Sequence, residues 1–276
     1  MSTTVTKAII SVAGWGTRRL PITKAIDKCM LPVGNRPIVD YVVRDCVKAG
    51  IHDIIFVVNK GSTQLQEYYG NNERLNQYLQ YNQKSDLIEL AHPPAGINFT
   101  YIEQDSNDKY GTAIPVALAY KHIQKGESVA VLMGDDFVYN ADGSDELTRQ
   151  IAATPQGGSS MLTTTVPMDQ VGRYGVVQFD EVTGAFVGIV EKPQPEMAPS
   201  NQINVSKYIL NYDMLTRIHD YGQLEVTGEF YIIEPIRMAV VEGQVMTVVP
   251  AQGEYMDCGN VRGWLHANNT IVNHMA

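Results

Sequence analysis

Gly14-Trp15-Gly16-Thr17-Arg18 follows directly on the apolar run Lys7–Ala13, and Lys24 and Lys28 come shortly after it. Glycines at the end of a strand leave no Cβ to block a ligand, so the backbone N–H groups of Ala13, Gly14, Gly16 and Thr17 can face an anion. Between Lys7 and Arg36 stand six Lys or Arg (Lys7, Arg18, Arg19, Lys24, Lys28, Arg36) and one acid, Asp27, in a chain whose net charge is -9. A local reversal of charge sign concentrates polyanions at one place. Arg18 offers a planar fork for phosphate oxygens, and Lys24 and Lys28 add mobile point charges. Together they suit a triphosphate and the pyrophosphate that leaves it, while Arg19 is expected to be solvent-exposed. The loop is not the phosphate loop of NTPases, because Lys60-Gly61-Ser62 has the wrong order, nor a dinucleotide fingerprint, because position 19 is Arg.

A second chemical signal is Asp135 in Gly134-Asp135-Asp136, which ends the apolar run Ser128–Met133. A carboxylate at the carboxyl end of a parallel strand faces the ligand crevice of a doubly wound sheet. A hard oxygen donor there suits Mg²⁺, which binds through one or two carboxylates plus substrate phosphates.

These residues need a scaffold, and the chain supplies an α/β one. Short apolar runs at 7–13, 53–58, 99–103, 129–133 and 160–166 alternate with helical periods at 37–49, 62–69, 73–82, 111–124 and 144–153. That alternation predicts a doubly wound, mainly parallel but mixed sheet with helices on both faces. After 166 the pattern changes. Tyr174–Phe179 and Phe186–Glu191 read as a hairpin, expected as a small lip beside the binding edge of the sheet. Further on, 203–210 and 244–249 read as strands and 211–219, 229–242 and 260–274 as helices. The stretch 70–98 reads as a solvated helical excursion, with a lid or an oligomer contact as the alternative. The 276 residues are expected to form one domain over 1–276, with a core at 7–166 and a second part with the closing helix at 167–276.

Composition excludes several classes. A pI near 5.1 disfavours a nucleic-acid binder. No apolar run reaches the ~18 residues of a membrane span, and Met1–Thr6 is too short and polar for a signal peptide, so a cytoplasmic location is expected. Cys29, Cys46 and Cys258, an odd number without a Cys-x-x-Cys pair, read as reduced thiols, and no His-x-x-x-His pair is present.

The run from Gly14 to Pro32, Gly-x-Gly-Thr-Arg-x-Leu-Pro-x-Thr-Lys-x-x-x-Lys-x-Met-Leu-Pro, resembles the signature of the sugar-nucleotide pyrophosphorylases, most closely the bacterial-type UTP–glucose-1-phosphate uridylyltransferases. Ordered matches continue through Gly134-Asp135-Asp136, Arg173-Tyr174-Gly175-Val176-Val177, Val190-Glu191-Lys192-Pro193, Pro199-Ser200-Asn201 with Lys207-Tyr208-Ile209-Leu210, and Tyr255-Met256-Asp257-Cys258-Gly259. The resemblance implies a Rossmann-like nucleotidyltransferase fold, Mg²⁺ as cofactor, and a homodimer or homotetramer. It implies that Asp135 and Asp257 bind the metal and that Gln104 and Gly111 read the base, a glutamine amide suiting uracil or thymine alike. On the sugar side it implies Glu191 on the hydroxyls, Lys192 on the sugar phosphate, and Gly175 and Asn204 beside the ring. Arg18, Lys28 and Lys192 are then the catalytic cations for UTP and glucose-1-phosphate giving UDP-glucose and pyrophosphate.

The chain also departs from that pattern. Cys29 stands where the family has Glu, Trp15 where it has Leu, Lys109-Tyr110-Gly111-Thr112 where it has Gly-Leu-Gly-His, and Ser206-Lys207 where it has Gly-Arg. Cys29 is expected to be a half-buried, non-catalytic thiol. Three alternatives stay open on the sequence: thymidylyl transfer, formation of another UDP-sugar, and a non-catalytic sugar-nucleotide-binding paralogue.

Overall fold

Residues 4–275 are described by the computed structural model, so positions 1–3 and 276 of the expected domain lie outside the described residues. The central strands are β1 (Val5–Val12), β2 (Asp53–Asn59), β3 (Asn98–Gln104) and β4 (Ser128–Met133). They pair in parallel in the order β4-β1-β2-β3. Their side chains alternate between two cores, as the two-residue period of a strand requires. Ala8, Ile10, Ile54, Phe56, Ala130 and Leu132 face one core. Ile9, Ile55, Val57, Val129 and Val131 face the other. Burial on both faces is why these runs read as continuously apolar.

Helices α1 (Ile38–Lys48), α2 (Gln64–Tyr69), α3 (Glu73–Tyr81), α4 (Ile114–Ala119) and α5 (Glu146–Ala153) fall where the periodicity places them. α1 begins after Pro37, and Gly50, at φ 77°, takes the left-handed turn beyond its end. α4 is shorter than the expected 111–124, and the expected helix 229–242 is observed as 233–241. Both lose their first residues for one cause, and α4 also ends early because Tyr120–His122 tightens into a 3-10 turn. Lys109-Tyr110 and Gly228-Glu229 pair as a two-residue parallel ladder, and Ala113 N donates to Phe230 O, which removes both segments from their helices.

The chain then builds β5 (Ser159–Thr165), β6 (Gly175–Phe179), β7 (Phe186–Glu191), β8 (Gln202–Leu210) and β9 (Met246–Pro250). β5 does not continue the parallel βαβ series. β8 lies between β4 and β5 and runs antiparallel to both, while β9 pairs in parallel with β5. The hairpin β6–β7 is not a separate lip either, because Val176 of β6 pairs with Ile203 of β8 and extends the sheet. The result is one mixed nine-stranded sheet. Helices α6 (Tyr212–Gly222) and α7 (Ile233–Val241) cover one face, and α8 (Val261–Asn273) closes the other. Among the described residues no helix is long and apolar enough to cross a membrane.

Candidate active site

β1 delivers the glycine loop to the carboxyl edge of the sheet. Gly16 sits at φ 61°, and a Cβ there would lie 3.0 Å from both Lys28 Cβ and Thr23 Cγ2, so both space and backbone conformation demand glycine. Its carbonyl accepts from Arg19 N at 2.8 Å and Thr23 Oγ1 at 2.9 Å, which locks the loop onto the helical turn Thr17–Arg19. Around this loop lies a cavity of about 570 Å³. Ala13, Gly14, Gly16, Thr17, Arg18 and Lys28 line it, as do Gln104, Gly111 and Asp135 from other strand ends. All the expected nucleotide-side residues thus meet in one space, and Trp15, 64 % exposed, forms part of its rim.

The six cations of the charge reversal divide sharply. Only Arg18 and Lys28 line the cavity. Lys7 pairs with Glu127 at 2.9 Å and Arg36 with Asp40 at 2.9 Å, and Lys24 is exposed outside the cavity. Arg19, expected in solvent, is 5 % exposed. Its Nη1 donates to Cys258 O (3.2 Å) and Asn260 O (3.0 Å), and its guanidinium lies 5.0 Å from the Trp264 ring centroid. The turn Thr17–Arg19 points consecutive arginines in different directions, and α8's entry loop supplies carbonyls for the inward one. Cys29 is also fully buried rather than half-buried, and burial pushes its thiol pKa up, which keeps it protonated and inert.

Lys28 Nζ is ion-paired with Asp135. Burial raises the Asp135 pKa, but Lys28, then Lys207 and Arg18, outweigh it and hold the carboxyl below its ordinary value. Asp257 lies near the same cations, around Gly259. A Cβ on Gly259 would lie 3.0 Å from Asp257 Oδ1, 3.6 Å from Arg18 Nη2 and 3.8 Å from Lys28 Nζ, so all three groups converge on that glycine. Asp257 also accepts from Gly259 N and Asn260 Nδ2, each at 3.0 Å. Among the described residues no group of three or more His, Cys, Asp or Glu forms a metal cluster.

Gln104, 3 % exposed, donates from Nε2 to Ser106 Oγ at 3.1 Å, and its buried Oε1 has no partner. Gly111, at φ 98°, is required by packing: a Cβ would lie 2.6 Å from Phe230 O. That close approach brings Glu229, which no sequence motif marked, into the cavity wall. Tyr231 Oη donates to Glu229 Oε2 at 2.6 Å.

The expected sugar-side residues do not line this cavity. Gly175 pairs with Glu191, and a Cβ on it would lie 2.7 Å from Glu191 Oε1. Strand alternation would put Glu191 and Lys192 on opposite faces, but β7 ends at Glu191 and Lys192 turns into the left-handed region at φ 46°. Asn204 is engaged locally: its Nδ2 donates to Tyr208 Oη at 2.7 Å and its Oδ1 accepts from Ser206 N at 2.9 Å. Beneath the site lies a buried polar group that no motif spacing marks. Lys207 Nζ donates to Asp136 Oδ1 at 2.7 Å, and Tyr255 Oη donates to Asp136 Oδ2 at 2.9 Å. Burial pushes the Asp136 pKa up to about 6 against the pull of Lys207.

A glycine loop with two cations, a carboxylate at a parallel strand end and a buried glutamine oxygen without a partner therefore share one cavity at the carboxyl edge of the sheet. The sequence pattern of the nucleotidyl transferase family matches residues 7–274, and the chain belongs to that family. A UTP–glucose-1-phosphate uridylyltransferase of Escherichia coli strain K12 is 31 % identical over 97 % of this chain and 90 % of its own length. One from Pseudomonas aeruginosa is 29 % identical over 98 % and 97 %. A solved UTP-bound UGPase from Acinetobacter baumannii superposes with a TM-score of 0.85 at 28 % identity, covering 97 % of this chain and 93 % of that one.

Proposed function

We propose that this chain is a UTP–glucose-1-phosphate uridylyltransferase. A phosphate oxygen of glucose-1-phosphate attacks the α-phosphorus of UTP in line, the bond to the bridging oxygen breaks, and pyrophosphate leaves as UDP-glucose forms. The attacking oxygen is already ionised, so positioning and charge neutralisation do the work. The observation that carries the reading is the buried, unpartnered Gln104 Oε1 in the same cavity as Arg18 and Lys28. An orphaned acceptor costs about 1–3 kcal/mol, and the N3–H of uracil supplies its missing donor.

In this account the loop amides and Arg18 hold the triphosphate. Lys28 leaves Asp135 for the departing pyrophosphate, and Lys192 binds the attacking phosphate. Glu191 accepts from the hexose hydroxyls, with Gly175 keeping room for it and Asn204 beside it. Asp135 and Asp257, two hard carboxylates at the cation cluster, fit Mg²⁺ completed by substrate oxygens. Bound there, Mg²⁺ supplies neutralisation of phosphate charge. A cytoplasmic homodimer or homotetramer belongs to the same proposal, and light scattering of the purified chain measures the assembly.

The test is a panel of sugar-1-phosphates against UTP and dTTP below saturation. The highest kcat/KM is expected for UTP with glucose-1-phosphate. A preference for dTTP makes the protein a thymidylyltransferase, and a preference for another sugar moves the assignment within the family.

A further inference from the structure

β8 is broken in the middle. Its residues Lys207–Leu210 pair with β4 and Ile203 pairs with β6, and its register against β5 shifts between Asn204 and Tyr208. At the break Ser206 takes φ 53°, a region costly for a residue with a Cβ. Asn204 Oδ1 holds it there through Ser206 N. The bulge sends the Lys207 side chain under the site, where it is 6 % exposed.

Its three donors are all used on one short turn. Nζ donates to Asp136 Oδ1 (2.7 Å), Asp136 O (3.1 Å) and Met133 O (3.5 Å). Met133 and Asp136 bracket Asp135. The other oxygen of Asp136 accepts from Tyr255 Oη, and Tyr255 lies in the short strand Glu254–Met256 that leads into Asp257. One buried ammonium therefore fixes the turn that carries Asp135, and one buried carboxylate ties that turn to the strand that carries Asp257.

We infer that Lys207 is a positioning residue: through Asp136 and Tyr255 it sets the spacing of Asp135 and Asp257 beside the Arg18 and Lys28 cations. This role rests on the nucleotidyl-transfer reading above. A lysine whose only task was to neutralise Asp136 would be replaceable, together with it, by a neutral pair. A positioning lysine would not.

Three variants of the full chain separate the two: Lys207→Met, Lys207→Arg, and Lys207→Met with Asp136→Asn, the last avoiding an unpaired buried charge. In ligand-free hydrogen exchange, Lys207→Met and the double variant are expected to speed exchange by about tenfold or more at 134–138 and 254–258, leaving 5–12 and 53–59 unchanged. In calorimetry, metal-free UTP affinity is expected to stay within about twofold, while the gain in UTP affinity on adding Mg²⁺ falls about tenfold or more, since a 1 Å misplacement is that costly. Lys207→Arg restores both readouts, and the double variant restores only the melting temperature. Parental exchange at 134–138 and 254–258 in the double variant, or a parental Mg²⁺-dependent gain, overturns the inference. If Lys207→Met does not fold, the double variant carries the test. If the parent binds no UTP, the proposed reaction fails, and the exchange data still judge the positioning role.

Discussion

Gly175 and Lys192 can each be tested by a single substitution, the first through side-chain space and the second through charge. A methyl on Gly175 meets Glu191 Oε1 at 2.7 Å and Ile189 Cδ1 at 2.8 Å, so Gly175→Ala displaces the carboxylate assigned to the hexose hydroxyls. Steady-state kinetics should show kcat/KM for glucose-1-phosphate down by about 10²-fold, the scale of a small misplacement, with UTP affinity unchanged; a matching loss of UTP binding would remove Glu191 from the sugar side. Lys192→Ala is expected to cost about 10²–10³-fold in kcat by removing one preorganised charge from the transferring phosphate. Calorimetry should find UTP bound nearly as before, and equal loss of both would sink the assignment. At this scale the meeting of Arg18, Lys28 and Asp135 in one cavity was legible, because a cation-rich glycine turn and a strand-end carboxylate both fall at the carboxyl edge of the sheet. Arg19 was not. Adjacent arginines look alike in sequence, and only the Cys258 and Asn260 carbonyls, some 240 residues away, distinguish the buried one. Glu229 was hidden for the same reason, since a remote two-residue ladder brings it to the cavity.

Whole elements depend on such remote contacts. α8 is tied to the glycine loop by Arg19, and Trp264 Nε1 donates to Pro32 O at 2.7 Å. Arg19→Ala strips the buried Cys258 carbonyl of its donor, while Asn260 O keeps Trp264 N, and should lower unfolding free energy by about 1–3 kcal/mol, read from a urea titration. Arg19→Lys should recover only part of it, because an ammonium lacks the fork and the stacking plane. An Arg19→Ala chain as stable as the parent would make the contact incidental. Helix and strand identities were readable because apolar period reports burial locally. Neighbours were not readable. Nothing within 160–166 says that β8 will return antiparallel between β4 and β5, and nothing within 174–191 says that Val176 will find Ile203.

The molecule as a whole carries a pH signature below its sheet. Burial pushes the Asp45 pKa up to about 7, with Lys207 and Lys48 pulling it down and Asp145 and Glu146 pushing it up. The folded chain therefore keeps a proton that the unfolded chain has lost, and stability falls as pH rises from near the ordinary carboxylate value of 3.8 through about 7. Asp45→Asn removes this dependence, so its melting temperature should exceed the parent's above neutrality and approach it in mild acid. Equal differences at both ends would show that Asp45 titrates normally. The central claim is tested most directly by following pyrophosphate after mixing the protein with UTP, Mg²⁺ and glucose-1-phosphate. Release is predicted to depend strictly on the sugar phosphate and to match UDP-glucose one for one. UTP binding without pyrophosphate release, with glucose-1-phosphate or any other sugar phosphate, would contradict it and leave a nucleotide-binding protein in place of an enzyme.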